Sequence, residues 1–117
     1  MSIGVSVQTQ GMFMFVSLTG ELDQSTTQQV KVRLMTTMAA YEIKHIVFDL
    51  KKLTFMDSSG IGIILGRYNQ VKAIGGQVFV TGMNPTVNKM FHMAGLAQII
   101  TIIEDEKQIV NVLEEAI

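Results

Sequence analysis

His45-Ile46-Val47-Phe48-Asp49-Leu50, then Asp57-Ser58-Ser59-Gly60, then Ile61-Gly62-Ile63-Ile64-Leu65-Gly66-Arg67-Tyr68: this stretch decides the fold. The first run is almost continuously apolar, as a central strand covered on both faces should be. The last run reads as a helix, with Ile61, Ile64, Leu65, Tyr68, Val71 and Ile74 forming one stripe and Arg67 outside it. The turn between them puts hydroxyls at a helix N-terminus. Backbone N–H groups lack partners there, and the helix dipole favours negative charge.

Working outward, the same strand-to-helix alternation recurs on both sides. Val5-Ser6-Val7 and Met12 to Leu18 read as two strands, with Gln10-Gly11 as a hairpin turn that makes them antiparallel. Gly20-Glu21-Leu22-Asp23 closes the second strand. A helix is expected to start between Asp23 and Ser25, with Ser25 and Gln28 as a capping box and Val30, Leu34, Met35, Met38 and Tyr41 as its apolar stripe. On the C-terminal side, Gly75-Gly76 should stop the helix, and Val78-Phe79-Val80 is a strand. Asn84-Pro85 opens a helix with Val87, Met90, Phe91 and Ala94 on one face, ended by Gly95. Ile99 to Ile103 is a β-branched last strand, and Ile109, Val112, Leu113 and Ala116 have the spacing of a C-terminal helix.

The expected order is β-β-α-β-α-β-α-β-α. It implies a single α/β domain over residues 1–117, with a mixed sheet of about five strands and about four helices. Helix cover on one face or on both is left open. In such a sheet the turns after parallel strands share one edge. Gly20–Asp23, Leu53–Gly60 and Gly82–Pro85 should therefore meet, bringing Asp23, Asp57, Ser58, Ser59 and Asn84 together.

Composition narrows the chemistry. The chain of 117 residues is 48% hydrophobic, which supports a core without staples. Its net charge is −1 and its basic residues are scattered, so neither nucleic acid nor an acidic membrane is an expected partner. It has no cysteine, which excludes disulfides and thiol catalysis and fits a cytoplasmic location. No leader is recognisable and the apolar runs are strand-sized, so no membrane span is expected. His45 and His92 belong to no metal-spaced cluster, and no cofactor is implied. Charged residues are 16% of the chain and methionines number nine, consistent with a greasy core or with an uncharged docking face.

Several catalytic readings fail on residue pattern. A hydrolase elbow needs glycine two residues before its serine, and neither Ser58 nor Ser59 has one. There is no P-loop motif. A receiver domain with Asp49 as acceptor would need an acidic pair after the first strand, where Ser, Val, Thr and Gln stand instead. Two readings of Asp57-Ser58-Ser59 stay open: simple helix capping, or a phosphoacceptor. Gly60 and Gly62 allow close approach of a neighbouring strand or of a partner protein. A small enzyme that binds or hydrolyses nucleotide through Asp57 and Ser58 is the rival from another class.

Phe55-Met56-Asp57-Ser58-Ser59-Gly60-Ile61-Gly62 resembles the phosphorylation loop of the STAS family of anti-sigma factor antagonists. Gly20-Glu21-Leu22-Asp23 is similar to that family's turn before its first helix, and Ile64-Leu65-Gly66-Arg67-Tyr68 and Met93-Ala94-Gly95-Leu96 extend the likeness. It runs essentially from Met1 to the last helix and is greatest with the sporulation branch of the family, in the sigma-F pathway of bacilli. The resemblance implies a partner-switching regulator without catalytic activity. Its unmodified form binds an anti-sigma factor that is also a serine kinase, and so frees the sigma factor for transcription. That kinase phosphorylates the first serine of the motif, here Ser58, and the modified form lets go. A serine phosphatase resets it. Asp23, Asp57, Ser59, Gly60, Ile61 and Gly62, with Met56 beside them, are the expected contacts of the partner.

Overall fold

The computed structural model describes residues 2–104 and 108. Strands β1 (Ile3–Gln10) and β2 (Phe13–Leu22) form the hairpin; α1 (Thr27–Ala40), β3 (His45–Met56), α2 (Ser58–Lys72), β4 (Val78–Thr81), α3 (Pro85–Met93) and β5 (Thr101–Ile103) follow. A single 3-10 turn, Leu96–Gln98, leads into β5. The strands lie in the order β1-β2-β3-β4-β5. β1 is antiparallel to β2, and the other neighbours are parallel. The fourth expected helix, at Ile109, Val112, Leu113 and Ala116, lies outside the described residues.

The three described helices share one face of the sheet. Val30 and Leu34 of α1, Ile63, Ile64 and Val71 of α2, and Val87 and Phe91 of α3 join one core with Met14, Val16, Leu18, Ile46, Phe48, Leu50, Val78 and Val80. Crossovers of one hand between successive parallel neighbours place their helices on the same side. The alternate residues Phe13, Val47, Phe79 and Ile103 form a separate cluster on the other face, with Phe15 against it. Both faces of β3 are thus apolar at Ile46–Phe48, which is why that run lacks a period-two pattern.

Five sequence expectations are corrected. α1 starts at Thr27 rather than at Asp23–Ser25, and its N-cap Thr26 makes no side-chain cap bond, so the Ser25/Gln28 box does not form. Met35 on α1 is exposed, and Tyr41 lies just past the end of the helix and is also exposed, leaving a narrower buried stripe. β3 runs on to Met56, so the turn expected over Leu53–Gly60 shrinks to Asp57. The buried face of α2 is Gly60, Ile63, Ile64, Arg67 and Val71, rotated from the expected stripe; Leu65 and Ile74 point outward. The last strand is likewise shorter than expected, beginning at Thr101 because Leu96–Gln98 forms a turn and Leu96 and Ile100 are buried in the main core.

β3 pairs with β4 only over Ile46–Asp49, but with β2 as far as Leu22↔Met56. Two register shifts in β3, opposite Ser17–Thr19 and Gly20–Glu21, each insert an extra residue on that strand. The β2–β3 pair therefore extends past the rest of the sheet and carries the Asp57 turn out with it.

Candidate functional site

At the end of this extension the expected turns do meet. Asp57 N–H donates to Leu22 O at 3.2 Å. Thr54 Oγ1 donates to Gly20 O at 3.0 Å, and Asn84 Nδ2 donates to Leu53 O at 3.1 Å. Gln24 N–H donates to Asp57 Oδ2 at 3.3 Å. Asp23, Asp57, Ser58 and Asn84 thus sit on one edge, though they come from three β-α units.

Each residue takes a distinct part. Asp57 is the N-cap of α2: its Oδ1 accepts from Ser59 N–H at 2.9 Å and from Gly60 N–H at 3.1 Å. These two bonds satisfy donors that a helix start leaves open. The cap therefore falls to Asp57, and the serines are released from it. Ser58 is exposed and its hydroxyl has no hydrogen-bond partner among the described residues; Ser59 is half-buried. Gly60 is buried, and a Cβ there would lie 2.7 Å from both Leu22 O and Met56 Cγ. Its lack of a side chain lets α2 pack on β2, so of the two open readings Gly60 takes the neighbouring strand and presents no surface to a partner. Gly62 is the reverse case: it is exposed, and a Cβ there would meet nothing within 4 Å. Ile61 is half-buried against the core. Met56 is 1% exposed, which removes it from the expected contact patch.

Asp23 is 9% exposed, held inside its own turn rather than offered openly. Its Oδ1 accepts from Ser25 N–H at 2.9 Å and from Ser25 Oγ at 2.6 Å. Its N–H donates to Thr26 Oγ1 at 2.9 Å, and the Thr26 hydroxyl donates to Glu21 O at 2.8 Å. These bonds to the charged form, the Ser25 hydroxyl foremost, hold the Asp23 carboxyl below its ordinary value despite its partial burial. All the side-chain bonds use Oδ1, so Oδ2 is the oxygen left over.

Sequence reasoning missed two participants. Gln24 acts through its backbone N–H, which no side-chain pattern signals. Phe55 is 41% exposed beside the Asp57 turn, because the second register shift in β3 breaks the alternation that would have buried it. The histidines stand apart from Ser58. His45 Nδ1 accepts from Gln77 N–H at 3.1 Å, and His92 Nδ1 lies 2.9 Å from Asn88 O. A concavity of about 490 Å³ lies on the sheet face away from the three described helices, between Phe15, Val47, Asp49, Lys51, Thr81 and Glu104, and includes neither Ser58 nor Asp23.

A parallel sheet with an antiparallel N-terminal strand, and an exposed serine at the head of α2, defines the class. The chain belongs to the STAS domain family, whose model matches residues 5–109. It is 37% identical to the anti-sigma F factor antagonist of Paenibacillus polymyxa, over 98% of this chain and 96% of that one. The solved anti-sigma factor antagonist SpoIIAA, in its unphosphorylated form, superposes with a TM-score of 0.83 at 25% identity, covering 96% of this chain and 97% of that one. The Bacillus cell fate determinant SpoIIAA in its phosphorylated form superposes at 0.74 with 27% identity, covering 93% and 99%. Among the described residues no helix is long and apolar enough to cross a membrane.

Proposed function

We propose that this chain is an anti-sigma factor antagonist switched by phosphorylation of Ser58. The unmodified form binds an anti-sigma factor that is also a serine kinase, displacing the sigma factor; the kinase uses ATP to modify Ser58, and a serine phosphatase reverses the step. The observation that carries this reading is the division of labour at the α2 N-terminus. Asp57 caps the helix, and the Ser58 hydroxyl is left exposed and, among the described residues, unbonded. A relative named for antagonism of an anti-sigma factor, and a structural neighbour solved with and without phosphate, support it.

The physics of the switch follows from position. Phosphate adds about −1.5 to −2 charge. At a helix N-terminus the dipole favours such charge by about 0.3–1 kcal/mol, and repulsion from the adjacent Asp57 offsets part of that. The fold therefore carries the phosphate at little net cost. A docked partner surface does not, since a misplaced charge at an interface costs several kcal/mol and about 1.4 kcal/mol is already tenfold in affinity. Incubation with ATP and the kinase, followed by mass mapping, should place one phosphate on Ser58, and Ser58→Ala should take up none. Ser58→Asp should bind the kinase at least about tenfold more weakly with an unchanged melting temperature. Labelling that persists in Ser58→Ala, or turnover of nucleotide by the purified chain alone, would refute the reading.

A further inference from the structure

Asp57 uses its two carboxylate oxygens for two different tasks. Oδ1 caps α2 through Ser59 N–H and Gly60 N–H. Oδ2 accepts from the N–H of Gln24, the residue that follows Asp23, at 3.3 Å. The carboxylate therefore spans from the helix that carries Ser58 to the turn that carries Asp23. The hydrogen bonds of Asp23 itself run to Ser25 and Thr26, in its own turn, and the Thr26 hydroxyl ties that turn back to Glu21 O. They fix the shape of that turn but not its place relative to α2. The backbone bond from Asp57 to Leu22 fixes the chain only up to Leu22. Beyond it, Gln24 is exposed, and among the described residues the Asp57 carboxylate supplies the hydrogen bond that joins this segment to the helix start.

We propose that Asp57 is a positioning residue: it holds the Asp23 turn against the head of α2, so that Asp23 and Ser58 present one rigid surface to the partner, and it makes no partner contact of its own. This rests on the reading that Asp23 and Ser58 dock the same protein. It replaces the expectation that Asp57 is itself a contact. The chemistry requires a carboxylate, because both oxygens must accept. Asparagine caps helices as well as aspartate does. At this position its Oδ1 keeps the cap, but its amide nitrogen would face the Gln24 N–H donor to donor. Asp57→Asn thus separates the two tasks.

The test is a double-mutant cycle with Asp23→Ala on the full chain, read as affinity for the purified anti-sigma factor kinase. Asp57→Asn is expected to weaken binding about five- to tenfold and to leave the melting temperature in place. In the Asp23→Ala background the same change should cost less than about twofold, because the group that Asp57 positions is gone. Additive losses, or no loss in the single variant, overturn the proposal. If Asp57→Asn lowers the melting temperature, Asp57→Ser, which keeps a capping oxygen too short to reach Gln24, takes its place in the cycle with the same expected coupling. An Asp23→Ala chain that binds as tightly as the parent shows instead that the underlying reading of Asp23 is wrong, and the proposal falls with it.

Discussion

Ser58 and Ser59 are adjacent and chemically alike, yet the fold separates them: one is exposed and one half-buried, with Asp57 capping the helix in place of either. From residue types alone, capping is the favoured reading of this pair over a phosphoacceptor, because serine and aspartate both dominate N-caps. Geometry assigns the cap to aspartate. Asp23 shows the other limit of sequence. Its place on the edge was legible from the β-α alternation; its enclosure by Ser25 and Thr26 was not, since it depends on a tight turn in place of the expected capping box. That enclosure has a pH signature. A carboxyl held below its ordinary value in the folded state adds stability that is present above the unfolded-state value and lost as pH falls through the folded one. The parent chain should therefore lose this contribution below about pH 4, and Asp23→Asn should not. Urea midpoints at neutral and acidic pH check it: the gap between parent and variant should narrow in acid. A gap that widens would contradict the hydrogen-bonded carboxylate.

Helix α2 is legible as an element, but its facing is not, and the cause lies in two residues. Gly60 has no side chain to mark the buried face, and Arg67 marks it with the wrong polarity. A stripe built from the visible apolar residues therefore came out rotated. The glycines of α2 show the consequence. Gly62 costs helix stability with no internal return, as its Cβ would stand in open space, whereas Gly60 is required by Leu22. Gly62→Ala should raise stability by about 1 kcal/mol, the propensity difference between the two residues. The same added methyl stands on the exposed face that begins at Ser58, so affinity for the kinase should fall while the melting temperature rises. Gly60→Ala should destabilise, by backbone collision with Leu22. Thermal denaturation alongside binding measurements tests both, and equal melting shifts for the two variants would undo this account of the helix.

At the scale of the whole molecule, the element order, the parallel pairing of the central strands and the shared edge are legible, because each follows from alternation and the handedness of crossovers. The layering is not, since an apolar run such as Ile46-Val47-Phe48 reads the same whichever element covers each face. Arg67 is illegible for a related reason: a charge reads as lying outside the apolar stripe, and here it stands among the buried residues of α2. The residue is 7% exposed, and Nε and Nη1 are buried without hydrogen-bond partners among the described residues. Burial pushes its guanidinium below the ordinary value, the direction expected when desolvation disfavours the charged form. A buried donor without an acceptor costs about 1–3 kcal/mol, a large share of the 5–15 kcal/mol that holds a typical domain. The aliphatic stem of arginine still packs as an apolar chain. Methionine at this position keeps that stem and removes the unpaired donors. Arg67→Met should therefore raise the melting temperature by about 4 °C or more, the equivalent of roughly 1 kcal/mol in a domain of this size. Phosphorylation of Ser58 should proceed at the parent rate, because Arg67 lies on the core side of α2 and well along it from the helix head. A fall in melting temperature would mean that the guanidinium is satisfied where it sits, and that the core of this domain is built around a charge rather than in spite of one.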